Sequence, residues 1–384
     1  MAFIGALNFF TTRYVGRPLF LACLRDIIPG MPTRRAVLSL LLGAVTLALA
    51  ACATRPVLDP AGVSVIRTYR FPTTVPDPQP AWNPGSYVIV ARGLGGFFLL
   101  QEGQGRQELF ESTESRQTWY PQWLNLNQFV FGPMRNVSPV TDGRVVPATD
   151  GLTVVTLEDT GLRYNVRREA LSTVGYRPRV ADGLIYAQVE SKQVVIDDQG
   201  KVSDAGEGFF AEPQSGGTGI AWQETPIYEP DRWTSHPARG QLFIRWSRGV
   251  VTIVPGGCQP HWTAAGGLVC TVLRGEPAAE GPWWTGGTDV WHISGPAAAP
   301  VLVARDARSA APHPQEPLIA VSDATAGVRL VSLREPQAPE QLLTATGGHP
   351  LWSHDGLRIL SIEQAEDRPA TIVVSVLIAK PTLP

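Results

Sequence analysis

The stretch His349-Pro350-Leu351-Trp352-Ser353-His354-Asp355-Gly356-Leu357-Arg358-Ile359-Leu360 decides the fold. Proline opens it, an aromatic follows two positions on, Asp-Gly makes a turn, and an apolar run closes it. Asp-Gly suits a tight hairpin because glycine adopts φ > 0 at little cost. The stretch therefore reads as strand, turn, strand. Weaker copies start at Pro121, followed by Trp123 and the apolar run 128–131, and at Pro178, ahead of Asp182-Gly183-Leu184-Ile185-Tyr186. Others start at Pro237, Pro260 and Pro314, and a degenerate copy, Trp82-Asn83-Pro84, leads into Tyr87 and Val88.

Further short runs rich in Val, Ile, Phe, Tyr and Trp lie at 184–189, 242–246, 250–254, 268–273, 328–333 and 371–378, with no convincing helix beyond residue 60. Short strands between turn signals predict an all-β chain. The phrase Pro-x-Trp-Ser-x-Asp-Gly-x-Arg-Ile resembles the repeat of TolB-type β-propellers; residues 350–359 match it well and the other copies in part. That resemblance implies four-stranded blades around a central channel. The anchor prolines are 37, 57, 59, 23, 54 and 36 residues apart, against about 40–45 for a propeller blade. An interval of 23 cannot hold four strands, so one anchor is false or one blade is reduced. The expectation is a six- or seven-bladed propeller over 80–384, closed by a strand at 63–71 beside 371–378. TolB also carries an α/β domain before its propeller. The Pro-rich segment 52–79 is too short for one and reads as a tether, so no Tol-system role follows from the resemblance.

Composition agrees with a folded body. The 384 residues include Gly 38, Pro 34 and 11 Trp, with 44% hydrophobic and 17% charged. That excludes a disordered chain and a coiled coil. Lys+Arg 32 against Asp+Glu 34 leaves a net charge of −2. No block of five or six basic residues neutralises phosphates, so nucleic acid is not an expected partner.

The N-terminus supplies an address. Arg34 and Arg35 precede the apolar run 36–51, which ends in small residues as a secretory signal does. Sixteen helical residues reach roughly 24 Å, short of a ~30 Å hydrocarbon core. Leu49-Ala50-Ala51-Cys52 resembles the lipobox of bacterial lipoproteins, which implies a signal peptide over 1–51 and acylation of Cys52. Met31 is the natural start of that signal, and Thr33-Arg34-Arg35-Ala36-Val37-Leu38 resembles a twin-arginine export sequence, so both export routes stay open. Ala53, where an Asp would mark inner-membrane retention, points to the periplasmic face of the outer membrane in a Gram-negative host. Removing 1–51 takes away Arg13, Arg17, Arg25, Arg34, Arg35 and Asp26, which turns the net charge from −2 to −6.

Cys258 and Cys270 then remain in the body and are a plausible disulfide in an oxidising compartment; two buried reduced thiols are the alternative. His236, His261, His313 and His349 each neighbour an anchor proline and are weak candidates for a metal ring; structural packing at blade starts is the other reading. No metal and no other cofactor is expected. There is no Gly-x-Ser-x-Gly elbow, no His-Glu-x-x-His and no phosphate-binding glycine loop, so nothing argues for an enzyme. Long inserts are read at 132–151 and 203–235, the latter with Trp222 and Trp233 among acidic residues. Pro282-Trp283-Trp284-Thr285-Gly286-Gly287 is a third candidate surface, because aromatics are enriched at interface centres. For most tryptophans the competing reading is packing between blades. The combined expectation is a lipid-anchored scaffold that binds envelope proteins or a membrane complex, with glycan or small-ligand binding as the rival and an enzyme third.

Overall fold

The computed structural model describes residues 60–379, apart from 76–77, 94–95, 103, 112–116, 119, 133, 136–150, 161–163, 190, 225–239, 275–286, 324–326 and 364–368. Residues 1–51, Cys52, Trp233, His236, Trp283 and Trp284 lie outside the described residues. Among the described residues one 3-10 turn, Pro60–Gly62, precedes strands only. These form seven four-stranded antiparallel sheets and one two-stranded pair, Gln117–Thr118 with Met134–Arg135, so the chain is a seven-bladed β-propeller. In chain order the blades occupy 81–111, 122–172, 176–207, 209–255, 257–304, 307–344 and 348–379.

The seventh blade takes its fourth strand, Val63–Pro72, from the other end of the propeller. It pairs antiparallel with Thr371–Ala379, from Val63 opposite Ala379 to Pro72 opposite Thr371. This is the expected closure, extended by one residue. The ring therefore takes in part of the segment 52–79 that reads as a tether.

Side-chain alternation explains how the blades stack. In the first blade Val88, Val90, Phe97 and Leu99 pack against Trp123, Phe129, Phe131 and Val155 of the second. Ile89, Ala91, Phe98 and Leu100, on the opposite face, pack against Leu360, Ile362, Ile372 and Val374 of the seventh. Central strands are thus buried on both faces and read as continuous apolar runs. Outer strands such as Val202–Glu207 are largely exposed. Asp182 (φ 50°) and Gly183 (φ 79°) form the expected tight hairpin in the third blade.

Three expectations need correction. The stretch 203–235 is not one insert, because it contains the strands Val202–Glu207, Phe209–Pro213 and Ile220–Gln223. The anchor at Pro237 is false, since the fourth blade opens at Phe209–Pro213; this removes the impossible interval of 23. Cys258 and Cys270 are free and buried, not disulfide-bonded. Cys258 lies opposite Thr271, so alternation turns Cys270 to the other face of the sheet. There Cys270 packs with Leu242, Ile244 and Leu268, whereas Cys258 packs with Leu273. Burial pushes both thiols up, Cys270 to about 12, which keeps them protonated and unreactive.

Candidate functional site

The proline phrase builds the channel wall. In five blades an anchor proline follows a residue in the left-handed region: Gln79-Pro80, Tyr120-Pro121, Arg177-Pro178, Gln259-Pro260 and His349-Pro350. Phe210-Ala211 stands in the same place in the fourth blade. Non-glycine residues there cost of order 1 kcal/mol each and persist only where their surroundings hold them. In the third, fourth, fifth and seventh blades the pairing with the second strand shifts at this point, the mark of a bulge. The true first anchor is therefore Pro80, not Pro84.

The aromatic of the phrase is a latch. Trp82 Nε1 donates to Leu351 O (3.1 Å), Trp123 Nε1 to Ala81 O (3.0 Å), Trp262 Nε1 to Glu212 O (2.9 Å) and Trp352 Nε1 to Ala311 O (3.0 Å). Each bond runs from one first strand to that of the preceding blade. The acceptor is always the second residue after the left-handed position or, in the sixth blade, its counterpart Ala311. These four tryptophans thus follow the packing reading. Trp222 stacks on Phe243 across the strand pair (5.5 Å, 10°), so it too packs within its blade.

Buried glutamines make a second set of joints. Gln188 Oε1 accepts from Phe210 N (3.0 Å), Gln223 Oε1 from Gln259 N (2.9 Å) and Gln79 Oε1 from Tyr120 N (3.0 Å). The first two satisfy a backbone N–H that a bulge withdraws from the ladder, and the third satisfies the N–H of Tyr120 just before the second blade's first strand.

Charge gathers on one side of the channel. Arg179 Nε lies 3.1 Å from Glu212 Oε2, and His261 Nδ1 lies 3.7 Å from Glu212 Oε1. Arg179, Glu212 and His261 are the second residues after the left-handed position in blades three, four and five. Burial would raise the Glu212 carboxyl, but Arg179, His261 and Arg177 outweigh it and hold the carboxyl below its usual range. The guanidinium of Arg177 sits 3.8 Å from the ring centre of Phe210 and 5.2 Å from that of Tyr120, which come from the flanking blades. At the corresponding positions of blades six, seven and one stand Ala311, Leu351 and Ala81.

This cluster lies at a definite end of the ring. First strands begin where second strands finish, as Tyr176 opposite Gln188 and Phe209 opposite Gln223 show. Residues 136–150, 225–239 and 275–286 join second to third strands in blades two, four and five, so they depart from this same end. The strand Val63–Pro72 starts beside Ala379, at the opposite end.

The histidine candidates do not converge. His349 is at a left-handed position and His261 two residues beyond one. His313 is buried in a turn between first and second strands, at the other end. Among the described residues no group of three or more His, Cys, Asp or Glu could hold a metal ion. A separate groove of about 480 Å³ lies between the outer parts of the first two blades, lined by Gln101, Gln104, Gln107, Glu108 and Tyr164.

Sequence reasoning missed Tyr120, Arg177 and Arg179, and it placed Phe210 and Glu212 in a long insert at 203–235 rather than at a blade start. For Tyr120, Arg177 and Arg179 the signal was present in the residues flanking an anchor proline, which vary from blade to blade; Phe210 and Glu212 flank Ala211 and had no such marker.

No protein-family model matches the chain, and no curated protein does. Among solved structures it is similar to a chain of the mitotic checkpoint complex, at 10% identity over 84% of this chain and 94% of that one, with TM-score 0.53. It is also similar to an oligogalacturonate lyase in complex with manganese (10% identity, 83% and 92% covered, TM-score 0.49). A third is an oligogalacturonate lyase from Vibrio parahaemolyticus (11%, 83% and 98%, TM-score 0.48). At such identities the likeness is one of fold alone.

Proposed function

We propose that this protein is a lipid-anchored, extracytoplasmic propeller that serves as a binding or assembly scaffold for envelope proteins. The observation that carries this reading is polarity. The ring receives its N-terminal strand at one end, while the charged channel wall lies at the other, where the strands joined by the three longest connections end and begin. Cys52 precedes Val63 by 11 residues, a span of at most about 40 Å. An acyl anchor on Cys52 tethers the ring through the strand that starts at Val63 and leaves the opposite end, from which the long connections depart, open to partners. The signal-like run 36–51 and the lipobox-like ending at Cys52 support a body outside the cytoplasm, at the outer membrane in a Gram-negative host. Trp283 and Trp284, on one of the three connections, are the proposed aromatic anchors, with Trp233 on another.

The test is purification from native membranes with identification of co-purifying subunits. Cys52→Ser should shift the protein to the soluble fraction, and Trp283→Ala with Trp284→Ala should lose partner capture while the protein stays folded. Unchanged membrane association and capture would defeat the reading. The groove between the first two blades favours a second reading. Its three glutamine amides and tyrosine offer both donors and acceptors, as hydroxylated ligands require. Retention on neutral oligosaccharides without any protein partner would select that alternative.

A further inference from the structure

We propose that the end of the ring that receives the N-terminal strand lies against a phospholipid bilayer, touching it through the turn tips of blades seven, one, two and three. The inference rests on the lipid-anchor reading and adds an orientation to it. First strands start at the charged end of the channel, so the turns that join them to second strands lie at the other end, beside Val63. In four consecutive blades such a turn, or the residue that closes it, presents a large apolar side chain to solvent. These are Leu357 (55% exposed), Tyr87 (48%), Leu126 (55%) and Leu184 (38%). Leu357 and Tyr87 hold the same repeat position, since Ser353 N donates to Arg358 O and Asn83 N to Val88 O just beyond them. Val202, Val250 and Val301 are exposed where third strands hand over to fourth strands at this same end in blades three to five. At the charged end Val174 is the one large apolar side chain exposed among the described residues.

Exposed apolar side chains grouped on one face mark a protein or a membrane contact. The chain before Val63 decides between them. Cys52 stands 11 residues ahead of Val63, so an acyl group there stays within about 40 Å of this end. The blade that takes up the N-terminal strand, the seventh, is also the first of the four with apolar tips. Charge agrees. The seven turns between first and second strands contain no Lys or Arg, so nothing on them recruits anionic headgroups. Within the four blades the acids of these turns are already engaged: Asp355 by Ser353 and Arg358, and Asp182 by Gly216 N. Contact therefore runs through leucine side chains, with the Tyr87 ring suited to the headgroup layer.

The test couples the full mature chain through Cys52 to a maleimide lipid in phosphatidylcholine vesicles, which supplies an anchor whether or not the cell does. Cys258 and Cys270 are buried and do not compete. Amide hydrogen exchange is then compared with the same chain capped at Cys52 in solution. Exchange in the turns at 83–87, 124–127 and 353–357 should slow about tenfold on coupling, while the segment around Val174 exchanges as before. Added anionic lipid should not deepen the protection. Leu126→Ser with Leu357→Ser should lose it, and an unaltered thermal midpoint shows that this variant folds. No protection of the turns, equal protection around Val174, or protection kept by the folded double variant would overturn the proposal. Self-association without lipid that the double variant abolishes would also overturn it, by putting a second copy on this face. Protection as expected, with no acyl group on Cys52 from native membranes, removes the anchor reading and leaves the face. An acylated Cys52 without protection of the turns removes the face and leaves the anchor.

Discussion

The seams between blades six, seven, one and two differ in kind from those between two, three and four. The former are latched by Trp352, Trp82 and Trp123, each donating to the preceding first strand. In the latter the tryptophan position holds Val180 or Pro213. The joints there are Arg177 against Tyr120 and Phe210, Arg179 with Glu212, and Gln188 on the Phe210 amide. One half of the ring carries a repeated tryptophan latch beside polar joints such as Gln79 Oε1 on the Tyr120 amide. The other half is closed by charge and amide chemistry that also faces the channel. Tryptophan latches and charged joints are thus placed in different blades of one ring.

Truncating a latch should give the largest loss. Trp123 is 7% exposed, packs on Phe129 and bonds Ala81 O. Trp123→Ala should cost about 3–5 kcal/mol in urea unfolding, whereas Val180→Ala at the same repeat position should cost roughly 1 kcal/mol. Equal losses would erase the distinction between the halves.

Next comes Gly356, in the turn of the seventh blade. Its φ is +71°, and an added Cβ would stand 2.4 Å from the ring of His313, which belongs to the sixth. Gly356→Ala should cost about 3 kcal/mol, from the left-handed backbone and the clash together. A thermal midpoint within a degree of wild type would show that the seam yields. On the polar half, Gln188→Ala strands the Phe210 N–H in a buried site and should cost about 1–3 kcal/mol.

The smallest effect is a pH dependence confined to the latched half and the neighbouring fifth blade. His313 Nδ1 accepts from Gln315 N (3.1 Å) and Glu316 N (2.9 Å), so Nε2 carries the proton and donates to Gly356 O (3.1 Å). Burial lowers its pKa against the opposing pull of Gly356 O, Glu316 and Asp355, and burial lowers that of His292 as well. The unfolded chain therefore binds more protons than the folded one as pH falls through about 6.5. Stability is full above that pH and declines below it. His313→Asn should flatten the decline between neutrality and the carboxylate range; an unchanged pH profile would remove His313 from this role.

Legibility followed the same division. His349-Pro350-Leu351-Trp352 announced its blade because proline, tryptophan and Asp-Gly all serve local or repeated needs. The fourth blade hid its start, since Phe210-Ala211-Glu212 lacks the proline and tryptophan and Pro237 offered a decoy. Arg177 was legible as a residue before an anchor proline and illegible as a partner of Tyr120 and Phe210. The disulfide expectation failed for a related reason. Spacing along the chain says nothing about register, and register set Cys258 and Cys270 on opposite faces.

By itself the sequence determined an all-β chain of short strands, the hairpin turns, the ring closure of 63–71 on 371–378 and the repeat phrase, and the structure extends that closure by one residue on each strand. Turn chemistry and side-chain alternation act within a few residues, so they are written locally. Only the tertiary structure decided seven blades, the true anchors, the acceptors of the tryptophan latches and the charged side of the channel. Those bonds join residues 41 to 50 apart along the chain, and 269 apart where the ring closes. Such partners are chosen by how neighbouring blades stack, which no single stretch of sequence encodes.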